Sequence, residues 1–158
     1  MNVSDGGVPK RPVERVRVSR EGTAGDRQRD RRRHGGEERA LCLYSADLID
    51  ALHAEGHPVR TGATGENLTI RGVPWDVVQV GARVRAGALE AEVTGFAHPC
   101  ENLRPYFVDE DFTRISQKVR PGWSRVYARV LVGGEVARGD AVVIRVSAPA
   151  MVREDAER

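Results

Sequence analysis

The chain is poor in aromatic residues, in cysteine and in lysine, and each shortage excludes something. Phe, Trp and Tyr make up only 5% of the 158 residues. The core therefore rests on Val, Leu, Ile and Ala, a balance that favours a β-rich fold. The two cysteines, Cys42 and Cys100, are too few for a disulfide framework and suit a reducing compartment. No apolar run reaches the length of a signal-peptide core or a membrane span, so the expected location is cytoplasmic, with no membrane partner. Of the 25 basic residues only Lys10 and Lys118 are lysines, and the net charge of +2 is too small to argue for nucleic acid.

Catalytic and cofactor signatures are also scarce. His34, His53, His57 and His98 could join the cysteines as zinc ligands, but no CxxC or HExxH spacing occurs. There is no GxSxG elbow, no P-loop and no dinucleotide fingerprint.

What remains is a globular composition with short, glycine-punctuated strands. Val13, Val16 and Val18 alternate within a first strand, and Leu41-Cys42-Leu43-Tyr44 reads as a buried one. Further strands are expected at 68–71, 77–80 and 83–85. The clearest is 89–94, with Leu89, Ala91 and Val93 on one face and Glu90, Glu92 and Thr94 on the other. Strands at 126–132 and 141–146 flank glycine-rich turns and suggest a hairpin or its close relative. Two helices are expected. One is capped by Ser45 and stopped by Gly56; the other runs over 109–118, with an acidic first turn and Phe112 and Ile115 on one face. The expected architecture is mainly β, a barrel or rolled sheet with a few peripheral helices. Residues 1–150 form one domain and 151–158 a polar C-terminal tail.

Cys100 is the first candidate for chemistry. It follows Ala97-His98-Pro99 at the exit of the clear strand, where Pro99 stiffens the turn. Two readings stand: a reactive thiolate beside a histidine, or a buried small hydrophobe. Cys42, between Leu41 and Leu43, reads as core. Arg27, Arg29, Arg31, Arg32 and Arg33 crowd towards His34-Gly35-Gly36. That cluster is either a solvated loop or an anion-recognition segment, whose glycine N–H groups could form a nest. Asp26 and Asp30 interrupt it and no stacking aromatics are interleaved, which disfavours nucleic acid.

Taken in order, several pieces resemble the MOSC family, named for the C-terminal domain of molybdenum cofactor sulfurases. They are Asn2-Val3-Ser4 with Gly6-Gly7 and Pro9-Lys10, Gly25-Asp26 leading to His34-Gly35-Gly36, Arg39 to Tyr44, Gly65 to Thr69, Glu92-Val93-Thr94 followed by Pro99-Cys100, and Gly139 to Val142. The resemblance implies a MOSC-type β-barrel and a role in molybdenum-cofactor or sulfur metabolism. Cys100 would act as a persulfide carrier or as the thiolate ligand to molybdenum. Lys10, His34, Gly35, Gly36 and Arg39 would bind the phosphate of the pterin cofactor, with Asn67 and Thr69 as polar supports. The implied partners are the molybdenum cofactor itself and a sulfur-donating desulfurase or an electron-transfer protein. No pyridoxal phosphate is expected in this chain. The alternative function is a minimal molybdenum-dependent reductase of N-hydroxylated compounds that uses an external electron donor.

Overall fold

In the computed structural model, residues 1–27 and 35–147 are described. His34, most of the arginine cluster and the polar tail at 151–158 lie outside the described residues.

The chain forms eleven strands among the described residues: β1 (Asn2–Val3), β2 (Arg11–Pro12), β3 (Arg15–Ser19), β4 (Gly22–Thr23), β5 (Leu41–Ser45), β6 (Leu68–Ile70), β7 (Arg83–Ala86), β8 (Leu89–Phe96), β9 (Val126–Val132), β10 (Gly134–Ala137) and β11 (Val142–Arg145). One six-stranded sheet runs in the order β11-β7-β8-β9-β5-β6 and curls into a half-barrel. A three-stranded sheet, β10-β3-β4, and a two-stranded ribbon, β1-β2, complete the mainly β architecture. All six-strand pairings are antiparallel except β5 with β6.

Alternation explains the core. Leu89, Ala91 and Val93 of β8 and Val126, Ala128 and Val130 of β9 are buried on one face, as period-2 side-chain direction requires. Each fully buried Val or Leu side chain there contributes roughly 1.5–3 kcal/mol. Leu41 and Leu43 of β5 join the same core, which leaves Cys42 and Tyr44 on the opposite face. All five residues of β5 are nonetheless buried, so loops must cover its second face. Those loops build the site.

The single α-helix among the described residues, α1 (Ala46–Ala54), forms where the capping signal put it. The Ser45 hydroxyl accepts from the Leu48 N–H at 3.1 Å, Ile49 and Leu52 face inward, and Gly56 ends the helix with φ of 96°.

Three expectations need correction. The helix expected over 109–118 is instead a pair of short 3₁₀ turns at Val108–Glu110 and Phe112–Ile115, following another at Glu101–Tyr106. Asp109 and Glu110 both adopt φ of 55°, which breaks any continuous helix. Phe112 and Ile115, three residues apart, share a face as readily in a 3₁₀ turn as in an α-helix, so the sequence pattern could not separate the two. The strand expected at 77–80 is absent. Trp75–Val77 forms a 3₁₀ turn that tucks Trp75 into the core, where its indole N–H donates to the Ser124 carbonyl at 2.7 Å. Finally, the strands at 126–132 and 142–145 are not a hairpin. β9 passes through Gly133 into β10, which pairs with β3, while β11 crosses to β7. A Cβ on Gly133 would lie 2.7 Å from the Val18 carbonyl oxygen, so only glycine permits this handover.

The irregular stretch after β8 is tied to α1 by Glu55. Its carboxylate accepts from Arg114 at 2.6 Å and Arg120 at 2.9 Å, and Arg120 in turn stacks over the Trp123 ring. Those two hydrogen bonds, first Arg120 and then Arg114, pull the Glu55 carboxyl from its ordinary 4.5 down to about 2. A carboxyl whose pKa is depressed on folding stabilises the protein above its unfolded value and loses that contribution as pH falls through the folded value. Glu55→Gln should therefore cost about 1 kcal/mol at neutral pH, after allowance for solvent screening. The difference from wild type should shrink as pH falls from 4.5 towards 2 in urea unfolding curves. A difference that persists undiminished at the acid end would contradict this assignment.

Candidate functional site

The second face of β5 is covered by the segments at 4–10, 26–27 and 60–67, and buried polar side chains fasten them together. Asp26 is the hub. Its carboxylate accepts from the Ser4 N–H at 2.8 Å, from Lys10 Nζ at 2.5 Å and from Asn67 Nδ2 at 2.8 Å. The Lys10–Asp26 pair is enclosed, with side-chain exposures of 8% and 5%. Asn67 continues the connection into the sheet: its Oδ1 accepts from the Cys42 N–H at 2.9 Å, and its N–H donates to the Cys42 carbonyl at 2.7 Å. Asn67 thus extends the β6 edge against β5 just ahead of the parallel pairing at Leu68.

Glu66 is fully buried and ionisable, yet it is held by neutral donors. Its carboxylate accepts from the Gly62 N–H at 2.6 Å, the Thr64 hydroxyl at 2.7 Å and the Thr69 hydroxyl at 3.0 Å. Gly62 has φ of 82°, and a Cβ there would meet the Lys10 carbonyl oxygen at 2.1 Å. Only glycine lets the two segments close on each other.

Cys100 is held from the sheet. Between Val93 and Gly95 the β8–β9 register shifts, a bulge that turns Thr94 to hydrogen bond the Glu38 carbonyl. The Ala97 N–H still reaches the Arg125 carbonyl at 2.9 Å, and the chain then leaves through His98 and Pro99. Cys100 has extended backbone at the start of the 101–106 turn, with its carbonyl accepting from the Leu103 N–H at 3.0 Å. The thiol is half-buried and free. Arg125, 7% exposed, braces this turn by donating Nη2 to the His98 carbonyl at 3.0 Å, while Nη1 donates to the Thr64 carbonyl.

Tyr127 lies on the second face of the sheet. It stands directly opposite Cys42 in the β5–β9 ladder, so the two side chains share the outer face. The Arg39 guanidinium lies over its ring, 5.2 Å from the centroid. Burial pushes the Tyr127 phenol up, the charges of Cys42 and Cys100 push the same way, and Arg125 and Arg39 oppose them. Both thiols and both guanidinium groups therefore act on one phenol. For Cys42, burial dominates and raises the thiol, with Arg125 and Lys10 pulling it down and Glu66 and Asp26 pushing it back up.

The sequence-derived site residues divide accordingly. Arg39 lies over the Tyr127 ring, and Cys100 opens the 101–106 turn. Gly35 and Gly36 lead into the 3₁₀ turn Glu37–Arg39, with Gly36 at φ of 98° and its carbonyl accepting from the Arg39 N–H. Lys10 and Asn67 are engaged by Asp26, and the Thr69 hydroxyl bonds Glu66 and Asn2, so these three serve the supporting network. His34 lies outside the described residues. Arg125 and Tyr127 were not singled out from sequence, and Asp26 and Glu66 only as parts of longer motifs with no role of their own. Arg125 has the outward parity of Tyr127 and Arg129 in a chain full of surface arginines, and no local pattern announces its burial. Among the described residues no group of three or more His, Cys, Asp or Glu side chains could hold a metal, and no helix is long and apolar enough to cross a membrane.

The fold and site define a β half-barrel module with one accessible thiol on a pinned turn and a polar network under its second face. The MOSC domain family model matches residues 30–143, and the chain belongs to that family. It is 33% identical to YflK of Bacillus subtilis (strain 168) over 136 residues, covering 84% of this chain and 60% of that protein. It is 31% identical to YiiM of Escherichia coli (strain K12) over 108 residues, covering 65% of this chain and 48% of that protein. The crystal structure of YiiM from Geobacillus stearothermophilus superposes with a TM-score of 0.66 at 28% identity, covering 88% of this chain and 65% of that one. The chain thus spans about half to two thirds of the length of these relatives.

The two thiols should differ in access. Under native conditions a thiol reagent should modify Cys100 before Cys42, because burial both blocks Cys42 and raises its pKa. Peptide mapping during the first minutes of labelling decides the order. Faster labelling of Cys42 would overturn the assignment of Cys100 as the accessible thiol.

Proposed function

We propose that this chain is a MOSC module whose working group is Cys100, acting as a sulfur carrier or as the thiolate ligand to molybdenum in a bound molybdenum cofactor. The observation that carries this reading is the placement of the half-buried Cys100 thiol on a turn pinned by a buried arginine. A thiolate suits both roles, since soft sulfur ligates a soft metal centre and also accepts a sulfane sulfur.

The residues fit such a cofactor in donor type. No all-protein metal cage is present among the described residues, so a metal would arrive with its own ligands and take one from the chain. When bound, the cofactor would supply redox chemistry at molybdenum. The chain would supply the Cys100 sulfur and positive charge for a phosphate ester, with Arg39 the exposed guanidinium at this face. Lys10 would contribute less than its sequence position suggests, because Asp26 already neutralises it. In the carrier role, the sulfane sulfur of a donor persulfide moves to the Cys100 thiolate and the donor leaves as a thiolate. The donor would be a desulfurase, and the setting a reducing, cytoplasmic one.

The test is anaerobic loading by a cysteine desulfurase and free cysteine, followed by peptide mapping. Wild-type protein and Cys42→Ser should gain one sulfur atom on the peptide containing residue 100, and Cys100→Ser should gain none. Loading on Cys42 alone, or equal loading of Cys100→Ser, would contradict the carrier role of Cys100.

A further inference from the structure

Arg125 is a cation where cations are costly to place. It is 7% exposed, and among the described residues no carboxylate lies within ion-pair distance of it. Its Nη1 and Nη2 donate to the carbonyls of Thr64 and His98, and its buried Nε has no partner among the described residues. Two buried carboxylates act on the same neighbourhood, but both are engaged elsewhere. Asp26 is held by Lys10, Ser4 and Asn67, and Glu66 by the Gly62 N–H and two threonine hydroxyls. Carbonyl dipoles satisfy hydrogen-bonding groups without cancelling a net charge. A unit of positive charge therefore stands two residues from Cys100 along the chain it braces, within reach of the Tyr127 phenol.

The geometry points to Arg125 as a positioning residue for Cys100, and as the charge that makes the Cys100 turn favour reactants carrying an anionic group beside the atom that meets the thiol. This deepens the reading of Cys100 as the working thiol and rests on it. The guanidinium joins two separate turns, 62–66 and 98–100, with two nitrogens held in a fixed planar fork, a geometry a flexible ammonium does not hold. In this role the charge acts through space, with no direct contact between Arg125 and the reactant.

A clamp without electrostatic effect would change the reactivity of Cys100 towards all reagents alike. The charge role changes the preference between reagents of similar size and different charge. Rates of Cys100 alkylation by iodoacetate and by neutral iodoacetamide, read by peptide mapping on the unloaded thiol, separate the two. In Arg125→Gln the iodoacetate-to-iodoacetamide ratio should fall about three- to tenfold relative to wild type. In Arg125→Lys, where the charge stays and the fork is lost, both rates should shift together and the ratio should hold within about twofold. An unchanged ratio in Arg125→Gln overturns the proposal. Should that variant fail to fold in a thermal melt, the wild-type protein gives the answer by comparison with the uncharged free thiol N-acetylcysteine amide. A higher iodoacetate preference at Cys100 than in the free thiol supports the proposal, and an equal or lower one overturns it. Because neither arm needs bound sulfur or metal, failure of the loading experiment would leave this result standing.

Discussion

The carboxylate of Asp26 makes three bonds to two separate stretches of chain, and the second face of β5 is covered because those bonds hold. Ser4 and Lys10 come from the N-terminal segment, and Asn67 from the turn that feeds β6. A buried ion pair is a poor source of net stability, since desolvation offsets much of its attraction. Removing one partner is another matter, because it strands a charge inside the protein. The Lys10–Asp26 pair therefore fixes geometry more than it adds energy. It brings the 4–10 and 60–67 segments over Cys42, and the turn at Thr64 then offers the carbonyl on which Arg125 rests.

From that point the site follows by contact. Arg125 reaches from the start of β9 to the Thr64 and His98 carbonyls, so the turn bearing Cys100 takes its position from the same network that seals Cys42. The two cysteines become chemically distinct although both influence Tyr127. Cys42 lies beneath the covering loops, its amide bound by Asn67, and its thiol is raised by burial. Cys100 sits at the rim, half-buried and free.

Much of this order was legible from residue patterns, and the exceptions have physical causes. The alternation in 89–94 and the Ser45–Gly56 helix signals are local, so they survived into the fold unchanged. The exit of β8 into His98-Pro99-Cys100 was equally visible. Long-range pairing was not. Nothing in 126–145 indicates that β10 would join β3, because that choice depends on the close approach of Gly133 to Val18. The 109–118 segment misled because three-residue spacing serves 3₁₀ and α geometry alike. Within the site, the sequence marked Lys10 for an anionic ligand and could not show that Asp26 already pairs with it. Arg125 was hidden by parity: its outward direction predicts solvent, and only the tertiary cover of two loops makes it a buried cation.

The central claim is that Cys100 is the point at which this chain takes hold of sulfur or of a molybdenum cofactor. The most direct measurement is elemental analysis together with intact mass on protein purified anaerobically from cells that make the cofactor. Wild-type protein should carry either molybdenum with the cofactor mass or one additional sulfur per chain, and the Cys100→Ser variant neither. Wild-type protein free of both, or a Cys100→Ser variant that retains what the wild type holds, would contradict it.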